Sequence, residues 1–142
     1  MIHLLHPGFV HFAVAFLVAG GLTEAFGIVA RRPACSRFGS TLVVVGTIWL
    51  VPTMVTGFLA QNSLDVSQGA DLVMGRHEKT GIALFGLFAV ALFWKGWVGG
   101  ELPDRQRLPY AAYLLVGVLL AAYAAFLGGQ MVFEHGVGVR IR

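Results

Sequence analysis

Residues 8–30 read GFVHFAVAFLVAGGLTEAFGIVA, an apolar run whose only carboxylate is Glu24 and which contains no Lys or Arg. An α-helix rises about 1.5 Å per residue, so about 20 such residues cross the hydrocarbon core of a bilayer. No Lys or Arg precedes Arg31, and the run is longer than the apolar part of a signal peptide. We therefore interpret the run as a retained transmembrane helix.

Three similar runs follow, and the whole chain has the composition of a membrane protein. Hydrophobic residues make up 57% of the 142 residues and charged residues only 12%, with a mean hydropathy of +0.78. The runs predict transmembrane spans at about 8–30, 38–60, 77–98 and 108–133. The predicted fold is a single all-α domain over 1–142, an integral membrane four-helix bundle with up-down-up-down order.

The basic residues predict how this bundle is oriented. Six of the ten lie in the first and third connections: Arg31, Arg32, Arg37, Lys95, Arg105 and Arg107. Four lie on the other side: Arg76, Lys79, Arg140 and Arg142. Since positive residues favour the cytoplasmic side, both termini are expected on the outer side. The net charge of +3 is thus explained by topology, and no nucleic-acid partner is expected.

All five histidines fall on the predicted outer side of the bundle. They are His3, His6 and His11 near the start, His77 at the beginning of the third span, and His135 after the fourth. His6 and His11 are separated by about 140° around a helix, so they do not share a face. The sequence therefore predicts that His6 and His11 have different roles.

Imidazoles on different helices are the usual ligands of b-type haem in a helix bundle. The candidate cofactor residues are His6, His11, His77 and His135, with Arg76, Lys79 and Arg140 near the haem propionates. His11 paired with His77 or His135 is preferred, because His11 lies deepest along its span. One haem is expected and two is the less favoured number. Gly81, Gly86 and Gly128 are small enough to make room for the macrocycle.

Copper or zinc is the alternative to haem. His6, His11, His77 and His135 are the candidate metal ligands, and Glu78 or Glu134 would complete a site with three or four donors. A third reading is a structural subunit whose histidines only form hydrogen bonds at the membrane interface. Spacing does not decide among these hypotheses, since no two histidines form a close metal-binding pair such as HxxxH.

Two further features concern the fold rather than the cofactor. Glu24 lies deep in the first span, where an unpaired carboxylate is costly, so pairing with Arg31 or Lys95 is predicted. Residues 61–76 form the longest predicted connection, which is expected to cover part of the histidine cluster.

The segments HPGFVHF, RHEKTG and FEHGVGV resemble those of the bacterial membrane family called domain of unknown function 2231. The resemblance covers essentially the whole chain as four spans. It implies a multi-pass protein of the bacterial inner membrane in which His6, His11, His77 and His135 are important, but it implies no reaction. Where members of that family often have Asp in the first helix, this chain has Glu24.

The expected function is electron transfer, as a redox subunit more than as a stand-alone enzyme. No combination of a nucleophile and a base is apparent in the sequence. The expected partners are the lipid bilayer, a periplasmic electron donor or acceptor protein or a quinone, and a larger membrane complex.

Overall fold

The structure, a computed structural model, describes residues 5–62 and 68–139. These residues form four α-helices and no strand: α1 Leu5–Val29, α2 Pro33–Gln61, α3 Gln68–Trp97 and α4 Asp104–Phe133. Each helix is long and apolar enough to cross a membrane. Each also exposes large apolar side chains, such as Phe26, Ile48, Phe93 and Leu119. Such a surface suits lipid and not water, so the chain is a multi-pass membrane protein whose helices lie in a bilayer.

All four helices begin before the spans predicted from hydropathy, and their ends agree with the predicted ends to within one residue. The largest difference is at α3, which begins at Gln68, so the expectation of a long loop over 61–76 is wrong for residues 68–76. Hydropathy locates the edge of the hydrocarbon layer, whereas a helix satisfies its own backbone hydrogen bonds and continues past that edge. Residues 63–67 of the expected covering loop lie outside the described residues.

The helices pack unequally, and α1 has the most extensive contacts. It packs along the whole of α2 and also against α4, while α3 packs mainly against α4. The start of α1 meets the end of α2, where His6 bonds to Thr53, and Gly27 near its end meets Ser36 near the start of α2. The contact between α2 and α3 is much the smallest of the four, so this side of the bundle is the least tightly closed.

Glycines allow α1 and α2 to approach at backbone distance. A Cβ atom on Gly39 would lie 2.3 Å from the backbone nitrogen of Glu24, and one on Gly27 would lie 2.3 Å from that of Ser36. No side chain fits at such distances, because the obstacle is main chain that moves only with its helix. Close approach through small residues is a principal way in which membrane helices associate.

Replacing Gly39 with alanine is therefore expected to separate α1 from α2 and to lower the thermal unfolding temperature in detergent. Overpacking of this kind costs about 1–3 kcal/mol or more. Gly86→Ala is the matched control, because nothing lies within 4 Å of a Cβ atom built there and Gly86 is exposed in the middle of α3. We expect the control to unfold at the wild-type temperature or above it. Equal behaviour of the two variants would contradict the predicted role of Gly39.

The α1–α2 and α3–α4 hairpins repeat one another with a shift of 71 residues. Position 6 corresponds to 77, 53 to 124 and 57 to 128, and all three pairs occupy equivalent contacts. The core follows the same register, since Leu17 and Phe88, Val43 and Leu114, and Gly46 and Gly117 are all buried. The two hairpins therefore share these contacts, although α1 packs against α2 much more extensively than α3 packs against α4.

An ion pair joins the two halves at the end opposite His6 and His77. Lys95 Nζ donates a hydrogen bond to Glu24 Oε1, and the two residues are again 71 positions apart. The Glu24 side chain is fully buried and that of Lys95 is 15% exposed. The prediction that Glu24 is paired is thus confirmed, with Lys95 as its partner.

Candidate functional site

Two histidines from different helices come together at one end of the bundle. His6, in the first turn of α1, and His77, in α3, have ring centroids 6.3 Å apart and ring planes at 87° to one another. Both rings line one cavity. The structure therefore brings together two of the four predicted histidine ligands.

Each imidazole is held by a backbone carbonyl of a neighbouring helix. Nδ1 of His6 lies 2.9 Å from the Thr53 oxygen, and Nδ1 of His77 lies 2.9 Å from the Ala124 oxygen. A carbonyl oxygen only accepts hydrogen bonds, so Nδ1 carries the proton in both rings. The proton of each neutral ring is then accounted for, and Nε2 retains a free lone pair. This is the state in which a histidine binds a metal ion, with its second nitrogen oriented by a carbonyl.

A glycine one helical turn beyond each carbonyl gives the ring its space. A Cβ atom on Gly57 would lie 2.9 Å from Cε1 of His6. On α4, a Cβ atom on Gly128 would lie 3.5 Å from Cε1 of His77. The rings therefore lie directly on the backbones of α2 and α4, and a side chain at position 57 would displace His6.

The cavity beside the two rings has a volume of about 160 Å³ and a mainly apolar lining contributed by all four helices. Leu50, Leu84 and Ala124 form part of this lining. Three of the chain's four methionines, Met54, Met74 and Met131, also line the cavity. Imidazoles and thioethers are therefore the principal soft donors near this space, and Glu78 is the carboxylate among the lining residues.

The other predicted histidines do not line this cavity. His11 is exposed, and its Nδ1 donates to the Pro7 carbonyl within its own helix. His135 is exposed in the turn after α4 and has its ring near Gly69. The deeper position of His11 along α1 does not bury it, because the angular offset from His6 directs it away from the bundle. The pair formed here is His6–His77 and not a pair that includes His11.

The predicted charged residues are at the rim or outside the described region. Arg76 and Lys79 flank His77 on α3 and are exposed. Glu134 is exposed and accepts hydrogen bonds from Gln130. Arg140, like His3, lies outside the described residues. Over residues 5–62 and 68–139, no group of three or more His, Cys, Asp or Glu side chains is arranged to hold a metal ion.

The groups that surround the two rings are not predicted from the sequence. These are the carbonyls of Thr53 and Ala124, the glycines at 57 and 128, and the three methionines. A carbonyl is present at every residue, so no motif marks Thr53 or Ala124. The interval of 71 positions, which relates His6 to His77 and Gly57 to Gly128, is the pattern that would have selected His6 over His11.

Together these features define a four-helix membrane protein with a pair of backbone-anchored histidines at one end and a buried ion pair at the other. Residues 2–140 match the family model described as Predicted membrane protein (DUF2231). The chain belongs to this family, which confirms the resemblance seen in its three histidine-containing segments. No curated protein and no solved structure matches the chain.

Proposed function

We propose that this protein is a membrane electron-transfer protein that binds b-type haem between His6 and His77. The observation that supports the proposal most directly is the matched pair of imidazoles. They come from helices in different halves of the chain, their Nδ1 atoms are fixed by carbonyls, and their ring centroids are 6.3 Å apart.

The separation of the rings suits one metal ion between them. Imidazole nitrogen binds such ions at about 2.0 Å, which holds two axial imidazole centroids about 6 Å apart. The ring planes are perpendicular to one another, and each ring keeps its orientation through the hydrogen bond from Nδ1 to a carbonyl. Haem bound in this way supplies a one-electron redox centre.

The macrocycle is larger than the present cavity, so the helices must separate to admit it. The seam between α2 and α3 is the place where separation disrupts the least packing. Gly81 faces this space, and nothing lies within 4 Å of a Cβ atom built there. Arg76 and Lys79 at the rim would pair with the propionates, as would Arg140. The histidine donors and the nearby cations suit haem, and its binding would require α2 and α3 to separate along this seam.

The location of the pair also favours transfer between the membrane and a soluble partner. In the proposed topology the helices run up-down-up-down in a bacterial inner membrane, with both termini and the histidine pair on the outer side, as the distribution of basic residues favours. A periplasmic donor or acceptor protein would then reach the site from one side. A quinone or a larger respiratory complex would reach it through the bilayer.

Copper(I) is the second candidate, and the three methionines are the observation that favours it. Thioether sulfur favours Cu(I), and imidazole also binds copper. Met54, Met74 and Met131 line the same cavity as His6 and His77. A chain with this site would deliver or sense copper. Zinc is less well supported, since it prefers three or four nitrogen, oxygen or thiolate donors.

An absorption spectrum with elemental analysis of the purified protein tests both candidates. For haem we expect a Soret band, sharp bands on reduction and near-stoichiometric iron. Stoichiometric copper without a Soret band would instead establish the second candidate. Protein purified from cells supplied with haem and copper that carries neither would overturn both and leave a structural subunit.

A further inference from the structure

The end of the bundle opposite the histidine pair contains a second cavity of a different character. It has a volume of about 510 Å³ and lies between the connection from α1 to α2 and the connection from α3 to α4. Four cationic side chains line it: Arg31, Arg37, Lys95 and Arg107. Glu101 is the only carboxylate residue among its lining residues. The cavity therefore carries a net positive charge and is suited to an anion.

Two of the four cations have no carboxylate partner within the described part of the chain. Lys95 is paired with Glu24, and Arg107 pairs with Asp104 at 3.2 Å. No ion pair joins Arg31 or Arg37 to a carboxylate of residues 5–62 or 68–139. The first turn of α2, which contributes Ser36 to the cavity wall, also contains no acidic residue. The positive charge at this place is therefore not neutralised by these residues.

Arg31 is exposed in the connection from α1 to α2 and has an uncommon backbone conformation. Arg31 has φ = 53° and is the only residue other than glycine with positive φ among those described. It occupies the turn after α1, where Arg32 N–H bonds to the Gly27 carbonyl, and glycine is the usual residue at such a position. A general preference for positive residues at this end of a membrane protein explains an arginine in the loop. It does not explain an arginine at a position of the turn where glycine is favoured.

We propose that this cavity binds the phosphate group of an anionic ligand through Arg31 and Arg37. Guanidinium groups donate paired hydrogen bonds to phosphate oxygens. The site is at the end of transmembrane helices, where lipid headgroups lie, and basic pockets between such helices accommodate anionic headgroups. A phospholipid headgroup and free phosphate share this chemistry.

The test measures the thermal unfolding of purified full-length protein in nanodiscs. The first arm compares phosphatidylcholine with phosphatidylcholine containing cardiolipin or phosphatidylglycerol. The second arm adds inorganic phosphate to the phosphatidylcholine discs. The reference is the same discs with a chloride salt at equal ionic strength. Stabilisation in the first arm alone assigns a lipid headgroup, and stabilisation in the second assigns free phosphate.

Arg31→Gly is the decisive variant because it relieves the backbone conformation while removing the guanidinium. We expect it to unfold in plain phosphatidylcholine at the wild-type temperature or above, and to bind the stabilising anion about tenfold more weakly. Arg37→Gln should weaken binding similarly and provides a second test that does not depend on the turn. Arg105→Gln is the control, since Arg105 is exposed at the same end but does not line the cavity.

Three results would overturn the proposal. The first is a wild-type protein whose unfolding temperature responds to neither kind of anion. The second is undiminished stabilisation in both Arg31→Gly and Arg37→Gln. The third is an equal loss in Arg105→Gln, which would show that the effect comes from charge in general. None of these results bears on the histidine pair, which lies at the other end of the bundle.

Discussion

Replacing either His6 or His77 with alanine is expected to abolish the Soret band, or the bound copper, of the purified protein. In the proposed site each imidazole would supply one of the two nitrogen ligands, and its Nδ1 donates a hydrogen bond to a carbonyl of a neighbouring helix. The remaining histidine then cannot hold the cofactor in the same coordination state. The measurement is the cofactor content per polypeptide, with the spectrum recorded in oxidised and reduced form.

His11→Ala and His135→Ala are the matched controls for this prediction. Both side chains are exposed, and neither lines the cavity, so both variants should retain the cofactor. Because a lost ring also leaves a hole, His77→Gly is to be studied with added imidazole, which should restore the band if His77 is a ligand. Loss of cofactor in His11→Ala with retention in His6→Ala would refute the assigned pair.

Replacing Lys95 with methionine is expected to cause the largest loss of stability. The substitution leaves the fully buried Glu24 carboxylate without its counter-ion. Breaking a buried pair by removing one partner costs about 3–5 kcal/mol, because the remaining charge is desolvated and uncompensated. The measurement is the free energy of unfolding in mixed micelles, supported by the thermal unfolding temperature.

The double variant Glu24→Gln with Lys95→Met separates loss of the charge from loss of shape. With neither charge present, most of the stability should return. The exchange Glu24→Lys with Lys95→Glu should also regain part of it, because the two positions are equivalent in the two halves of the chain. A double variant as unstable as Lys95→Met alone would contradict an electrostatic origin of the effect.

The four helices were predictable because apolar runs of sufficient length have few alternatives in a membrane. The bounds of the helices were less predictable. The first residues of α3 mix polar side chains, such as Gln68, Asp71 and Arg76, with apolar ones, and they are helical outside the predicted span. The partner of Glu24 was predictable within two choices, since a carboxylate at that depth needs a cation at the same level. Lys95, at the matching end of α3, satisfies that need.

The candidate site was predictable only in part. Topology predicted that His6 and His77 lie at one end, and helical geometry predicted that His6 and His11 face different ways. Which of the two faces the bundle depends on where α2 lies around α1, and one helix alone contains no information on this. The shift of 71 residues does contain this information. His6 corresponds to a histidine, His77, whereas His11 corresponds to the apolar residue Ile82.

The ion pair has a consequence for how the two hairpins recognise one another. In a dimer of two identical hairpins, the positions that correspond to 24 and 95 would carry the same residue. Two carboxylates, or two ammonium groups, would then be buried next to one another. A carboxylate opposite an ammonium group exists only when the hairpins differ, as they do here at Glu24 and Lys95. If the chain were cut between α2 and α3, the first hairpin would accordingly select the second in preference to a copy of itself.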